Sequence, residues 1–191
     1  MIPPENLFHA RTAAASPDQP ADFLYACHRR IEQRIDAIER AVTALADRPE
    51  EALAALASAM AFLDTSGALH TEDEEVTVFP RLRQSLERRE WTLLAGLEHD
   101  HVEADRLAAR LREGVEGARR GEPAWPDLRA LAERFVALYR RHIALEDETL
   151  IPMVRRQLSA DEQRQVAAEM RARRSPAAHR STSGPAQENL R

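Results

Sequence analysis

Apolar side chains recur at alternating spacings of three and four residues through most of this chain, the period of helices that each bury one stripe. Turn signals divide the pattern into four long segments, about 20–46, 49–88, 90–119 and 126–157, and a shorter fifth at 159–173. Pro49 stands where a proline opens a helix, and Ser159 with Glu162 frames a capping box ahead of the fifth segment. Pro80 and Pro152 fall late inside segments two and four and predict an interruption there. Long helices with short joins predict an all-α, up-down four-helix bundle with a short C-terminal fifth helix. The expected organisation is a mobile N-terminal tail at 1–20, the bundle at 21–158, the fifth helix at 159–173 and a second mobile tail at 174–191.

Tracing the stripes gives Leu24, His28, Ile31, Ile35 and Ile38 in the first segment and Leu56, Met60, Leu63, Gly67, His70 and Glu74 in the second. The third gives Leu94, Leu97, His101, Ala104 and Ala108, and the fourth Phe135, Leu138, His142 and Leu145, with Glu146 one turn beyond His142. Each stripe therefore carries one histidine. Of the seven histidines, His9 and His179 lie in the tails, four lie on stripes, and only His99 lies off both. A single core imidazole is commonly a hydrogen-bonded packing residue. Four in four helices are a different matter, because two of them also bring a buried carboxylate that is costly without a cation. His70 with Glu74 and His142 with Glu146 stand at i and i+4, on one helix face, close enough to share one ion or to bridge two.

The segments HTEDEEVTVFP at 70–80 and HIALEDETLIP at 142–152 repeat at an offset of 72 residues, and His28 and His101 repeat at 73. Two duplicated helical hairpins packed about a pseudo-twofold axis would bring four imidazoles and two to four carboxylates to one level, a set sized for two metal ions. Glu32 and Asp105 follow His28 and His101 at +4 and are open as ligands, as acceptors for imidazole N–H groups, or as solvated flanks. Glu72, Asp73, Glu75, Asp147 and Glu148 read as the exposed face of charged helices, with Glu75 and Asp147 open as substitute ligands. Cys27 reads as a small core residue, His99 as solvated, and Gly67 as a point of close packing or of approach for a small ligand.

Composition agrees and excludes several classes. Hydrophobic residues are 43%, aromatic 5% and charged 31%, with 6 glycines, a mixture that favours helix over sheet. With 27 basic and 32 acidic residues the net charge is −5, so no basic field is available to hold nucleic acid or an anionic membrane. One cysteine makes no internal disulfide. The opening segment lacks the pattern of a secretory signal and no uninterrupted apolar run approaches a membrane span, so the expected location is the cytoplasm. No phosphate loop, dinucleotide fingerprint or nucleophile–base pair appears, leaving metal-centred chemistry.

The pattern of a lone His on the first helix, His-x-x-x-Glu on the second, His on the third and His-x-x-x-Glu on the fourth resembles the hemerythrin-like, or HHE cation-binding, family over about 21–158. The resemblance places His28, His70, Glu74, His101, His142 and Glu146 on metal-ligand positions and implies a non-haem di-iron centre bridged by Glu74 and Glu146. Manganese and zinc accept the same ligand types. Asp105 stands where the oxygen carriers of this group have a further histidine, and their last carboxylate sits at +5 rather than at +4, so reversible oxygen carriage is not expected. The expected function is binding or sensing of O2, NO, peroxide, or iron and redox state. The alternatives are a metal-centred enzyme that consumes peroxide and an iron handling or repair protein. The expected partner is a small diatomic or peroxide ligand, with a protein contact through the C-terminal helix as a further option.

Overall fold

A computed structural model describes residues 19–122 and 125–175, and all regular structure among them is helical. The long helices are α1 (Pro20–Ala44), α2 (Pro49–Ser85), α3 (Trp91–Arg119) and α4 (residues 125–157), followed by α5 (Ala160–Arg173). Apart from residues 19–20 and 174–175, the two expected tails lie outside the described residues. Pro20 and Pro49 each occupy the first turn of a helix, where a missing N–H costs nothing. A single 3₁₀ turn, Arg88–Glu90, links α2 to α3, and Gly121 closes α3 at φ 82°, a conformation strained for other residues. The capping box at Ser159 forms as the sequence predicts: its side chain accepts from the Glu162 amide while the Glu162 carboxylate accepts from the Ser159 amide.

The prolines inside α2 and α4 are accommodated by widened turns. Residues Asp73–Val78 and Glu146–Leu150 wind as π-helix, and each is followed by a short α-helical stretch, Phe79–Ser85 and Ile151–Gln157, whose first turn holds Pro80 or Pro152. Proline offers no N–H to the preceding turn and crowds its carbonyl, and a wider turn relieves both problems. A third widened turn, Leu63–Gly67, has no proline behind it and was not predicted.

Helix α1 packs on α2 and α4, and α3 packs on α4 and α2, closing a ring of four. The interior holds two apolar clusters. One contains Ile31, Leu63, Ala104, Leu138 and Ile143; the other contains Leu24, Val78, Leu97 and Leu150. Between them, along every helix, come the striped histidines, and the order in which the chain meets the two clusters reverses from each helix to the next. A polar layer thus crosses an otherwise apolar core. Part of α2 is long and apolar enough to cross a membrane by length and composition, yet it supplies Leu53, Leu56, Ala59, Met60 and Leu63 to the first cluster, the behaviour of a core helix.

Helix α5 covers one end of the ring, with Val166 and Met170 buried in the second cluster. Its polar anchors converge on the widened turn of α2. Arg173 and Arg174 each approach Asp73 at 2.6 Å, Arg173 also donates to Thr77 Oγ1, and Arg81 of α2 pairs with Glu169 at 2.7 Å. Asp73 is fully buried, which corrects its reading as part of an exposed charged face. Asp73 lies three residues after His70, a spacing that keeps it on the inner side of α2, where the arginines at the end of α5 meet it.

Candidate metal centre

Six polar side chains form the layer between the clusters: His28 on α1, His70 and Glu74 on α2, His101 on α3, and His142 and Glu146 on α4. All are at most 8% exposed. Ligand atoms of His28, His70, Glu74 and Glu146 lie within 4.8 Å of one another, and so do those of Glu74, His101, His142 and Glu146. The two groups share both carboxylates.

The approaches are short and of one kind. His28 Nε2 lies 3.2 Å from Glu146 Oε2, His142 Nε2 3.1 Å from Glu146 Oε1, His70 Nε2 3.4 Å from Glu74 Oε1, and His101 Nε2 3.3 Å from Glu74 Oε2. None of the four carboxylate oxygens has a hydrogen-bond partner of acceptable geometry, and all are buried. His101 Nε2 and His142 Nε2 also face each other at 3.1 Å. Four imidazole nitrogens and four carboxylate oxygens thus converge where a core would ordinarily be dry or fully hydrogen-bonded, an arrangement that cations satisfy.

The outward nitrogens of two imidazoles are fixed by the repeat itself. Asp147 Oδ1 lies 2.6 Å from His28 Nδ1, and Glu75 Oε1 lies 2.8 Å from His101 Nδ1. A carboxylate on Nδ1 draws the proton there and leaves the Nε2 lone pair pointing inward, the tautomer that a metal needs. Arg29 braces Asp147 from the far side at 2.5 Å. These two acids occupy the same position in the two repeats, and each serves a histidine of the other hairpin. The sequence reading left them on the solvated face or as substitute ligands; their shared +5 position in the repeat was the available signal. His142 Nδ1 has the more distant Asp100 Oδ2 at 3.7 Å, while His70 Nδ1 is buried without a hydrogen-bond partner.

Electrostatics reflect the crowding. Burial alone would lower the His28 and His101 imidazoles, but Asp147 and Glu146 around the first, and Glu74 and Glu75 around the second, outweigh it and raise each to about 9. Burial, with the neighbouring charge of His28, drives His70 well below its ordinary value. Burial and the charge of Glu146 raise Glu74 to about 7, whereas at Glu146 burial is overcome by His142 and His28 and the carboxyl falls well below its usual range. Without cations, protons take the place of metal charge.

The remaining candidates lie elsewhere. Asp105 is exposed and belongs to neither ligand group, and Glu32 pairs with Arg29 at 2.7 Å. His99 is exposed. Cys27 is buried and its sulfur accepts from Arg30 at 3.2 Å, with burial raising its thiol above the ordinary value. A small cavity of about 10 Å³ lies against His70, His101 and His142, with Tyr139 and Gly67 in its wall.

Comparison with known proteins agrees with this geometry. The hemerythrin HHE cation-binding domain model matches residues 19–154. An uncharacterized protein of Haemophilus influenzae is 30% identical over 166 residues, covering 82% of this chain and 91% of that protein. The chain belongs to the hemerythrin HHE cation-binding family, and its buried His and Glu groups are suited to binding metal.

Proposed function

We propose that this chain is a non-haem di-iron protein that binds or senses a small oxidant or diatomic molecule, such as O2, NO or peroxide, at a pair of ions held by His28, His70, Glu74, His101, His142 and Glu146. The observation that carries the reading is that two four-residue groups share Glu74 and Glu146, so that each carboxylate can serve both ions. Six protein ligands leave two six-coordinate ions with open positions, and the bound pair supplies redox chemistry there. The protein's own part is to hold four Nε2 atoms inward, to place two anionic charges between them, and to keep bulk water away with apolar clusters on both sides. Asp147 and Glu75 keep the Nδ1 protons of His28 and His101 outward.

Metal content per chain on anaerobically purified protein, with spectra before and after admitting air, tests the reading. Two irons per chain with new near-ultraviolet absorption on oxidation are expected. No bound metal after iron reconstitution overturns it and makes the layer a polar core.

A further inference from the structure

The duplicated hairpins depart from symmetry beside the ligand layer. Gly67 stands three residues before His70, and at the matching place three residues before His142 stands Tyr139. Both residues line the small cavity against His70, His101 and His142, and both line a second, larger groove of about 380 Å³ between α2 and α3. Thr71 and Ala104 are also common to the two. The missing side chain at Gly67 leaves space where its counterpart carries a ring.

Tyr139 packs its ring against Phe135 at 4.8 Å between centroids and lies 6.5 Å from the His142 ring. Tyr139 is half-buried, and among the described residues its phenolic oxygen makes no hydrogen bond, which leaves the hydroxyl open to a partner in the cavity. A phenol donates through its O–H, so the group is available as a donor. The groove carries Asp64, Glu72, Glu75 and Asp105 against Arg112, which is itself paired with Asp64, so it admits neutral molecules more readily than anions. The inner cavity has the volume of about one water molecule.

Resting on the metal reading above, the geometry points to Tyr139 as the hydrogen-bond donor to a small neutral ligand at the metal pair, reached from the α2–α3 groove past Gly67. Tyr139 is a positioning residue for that ligand and no metal ligand itself. Nitric oxide on the iron-loaded, reduced full-length chain is the probe. Tyr139→Phe is expected to keep the wild-type iron content and melting temperature, to release nitric oxide about tenfold faster, the effect of one lost hydrogen bond, and to shift the N–O stretching frequency. Gly67→Leu, which projects a side chain into the shared wall, is expected to slow nitric oxide association at unchanged iron content. Wild-type release and an unshifted N–O stretch in fully loaded Tyr139→Phe overturn the donor role, and wild-type association in Gly67→Leu overturns the route. Wild-type protein that holds no iron overturns the metal reading itself, and this assignment with it.

Discussion

The most discriminating perturbation of the centre leaves all six proposed ligands in place and changes only Asp147. This carboxylate is 20% exposed, sits 2.6 Å from His28 Nδ1 and is braced by Arg29. Asp147→Asn keeps a carbonyl oxygen able to accept from Nδ1 and removes the charge. A charge-assisted hydrogen bond exceeds a neutral one by about 1.4 kcal/mol, so metal affinity should fall about tenfold. Asp147→Ala leaves the Nδ1 proton buried without a partner and lets the ring choose the wrong tautomer, for a loss of about a hundredfold, the upper end of such effects. The matching change, Glu75→Gln, should cost less than Asp147→Asn, because Glu75 is 38% exposed and no arginine braces it among the described residues. Competition against a chelator of known affinity measures all three, with iron stoichiometry at saturation as the control. Unchanged affinity in Asp147→Ala at full stoichiometry would refute the view that the repeat's second acid orients the imidazole.

Three further outcomes are expected. Glu74→Ala and His142→Ala should each abolish tight metal binding and with it the stabilisation that saturating metal confers, about 4 kcal/mol at a thousandfold excess over Kd, on the order of 10 °C in melting temperature by calorimetry. The centre should also respond to pH: His28 and His101 are raised to about 9, so the stability they contribute to the metal-free protein is complete below their ordinary 6.5 and is lost as pH rises through 9. Glu74, raised to about 7, contributes in the same direction, complete below 4.5 and lost as pH rises through 7. Metal displaces these protons, so loading at pH 7.5 should release about two protons per chain, and the melting-temperature gap between loaded and metal-free protein should widen from pH 6.5 to 9; a constant gap with no proton release counts against the assignment. Finally, replacing both Arg173 and Arg174 by Ala leaves Asp73 buried without its cations and should destabilise the fold by about 3 kcal/mol in denaturant titration, whereas adding Asp73→Leu should restore most of the loss. Failure of the third change to restore stability would show that the arginines act through their packing instead.

The period of three and four found the helices, the stripes and the six converging residues, because a regular helix maps spacing directly onto a face. It misplaced residues where the winding changes. Within Asp73–Val78 and Glu146–Leu150 each turn takes one more residue, and Glu75 and Asp147, counted onto the solvent face, meet His101 and His28 there, whereas Asp73, at the start of the widening and three residues after His70, meets the arginines at the end of α5. Pro80 and Pro152 signalled that something interrupts the helix there. They did not say that the interruption is a widened turn rather than a bend. Partners across helices were beyond the reach of periodicity altogether, since spacing names a face and not what is packed against it.

The duplication explains why the ligand set is nearly symmetric and also shows where the symmetry is given up. Glu74 and Glu146, Glu75 and Asp147, and the two Phe/Ile-Pro steps match position for position, so each hairpin lends the other its outer carboxylate. Two of the differences bear on the site. Asp73 faces the arginines of α5 where its counterpart is Leu145, and Gly67 opens a wall where its counterpart is Tyr139. Both departures flank the α2 half of the layer, one at its junction with α5 and the other at the groove toward α3. Equivalent ligands in unequal surroundings would make two ions bound there inequivalent, and an asymmetric pair with one approachable side is what a site for a small ligand requires.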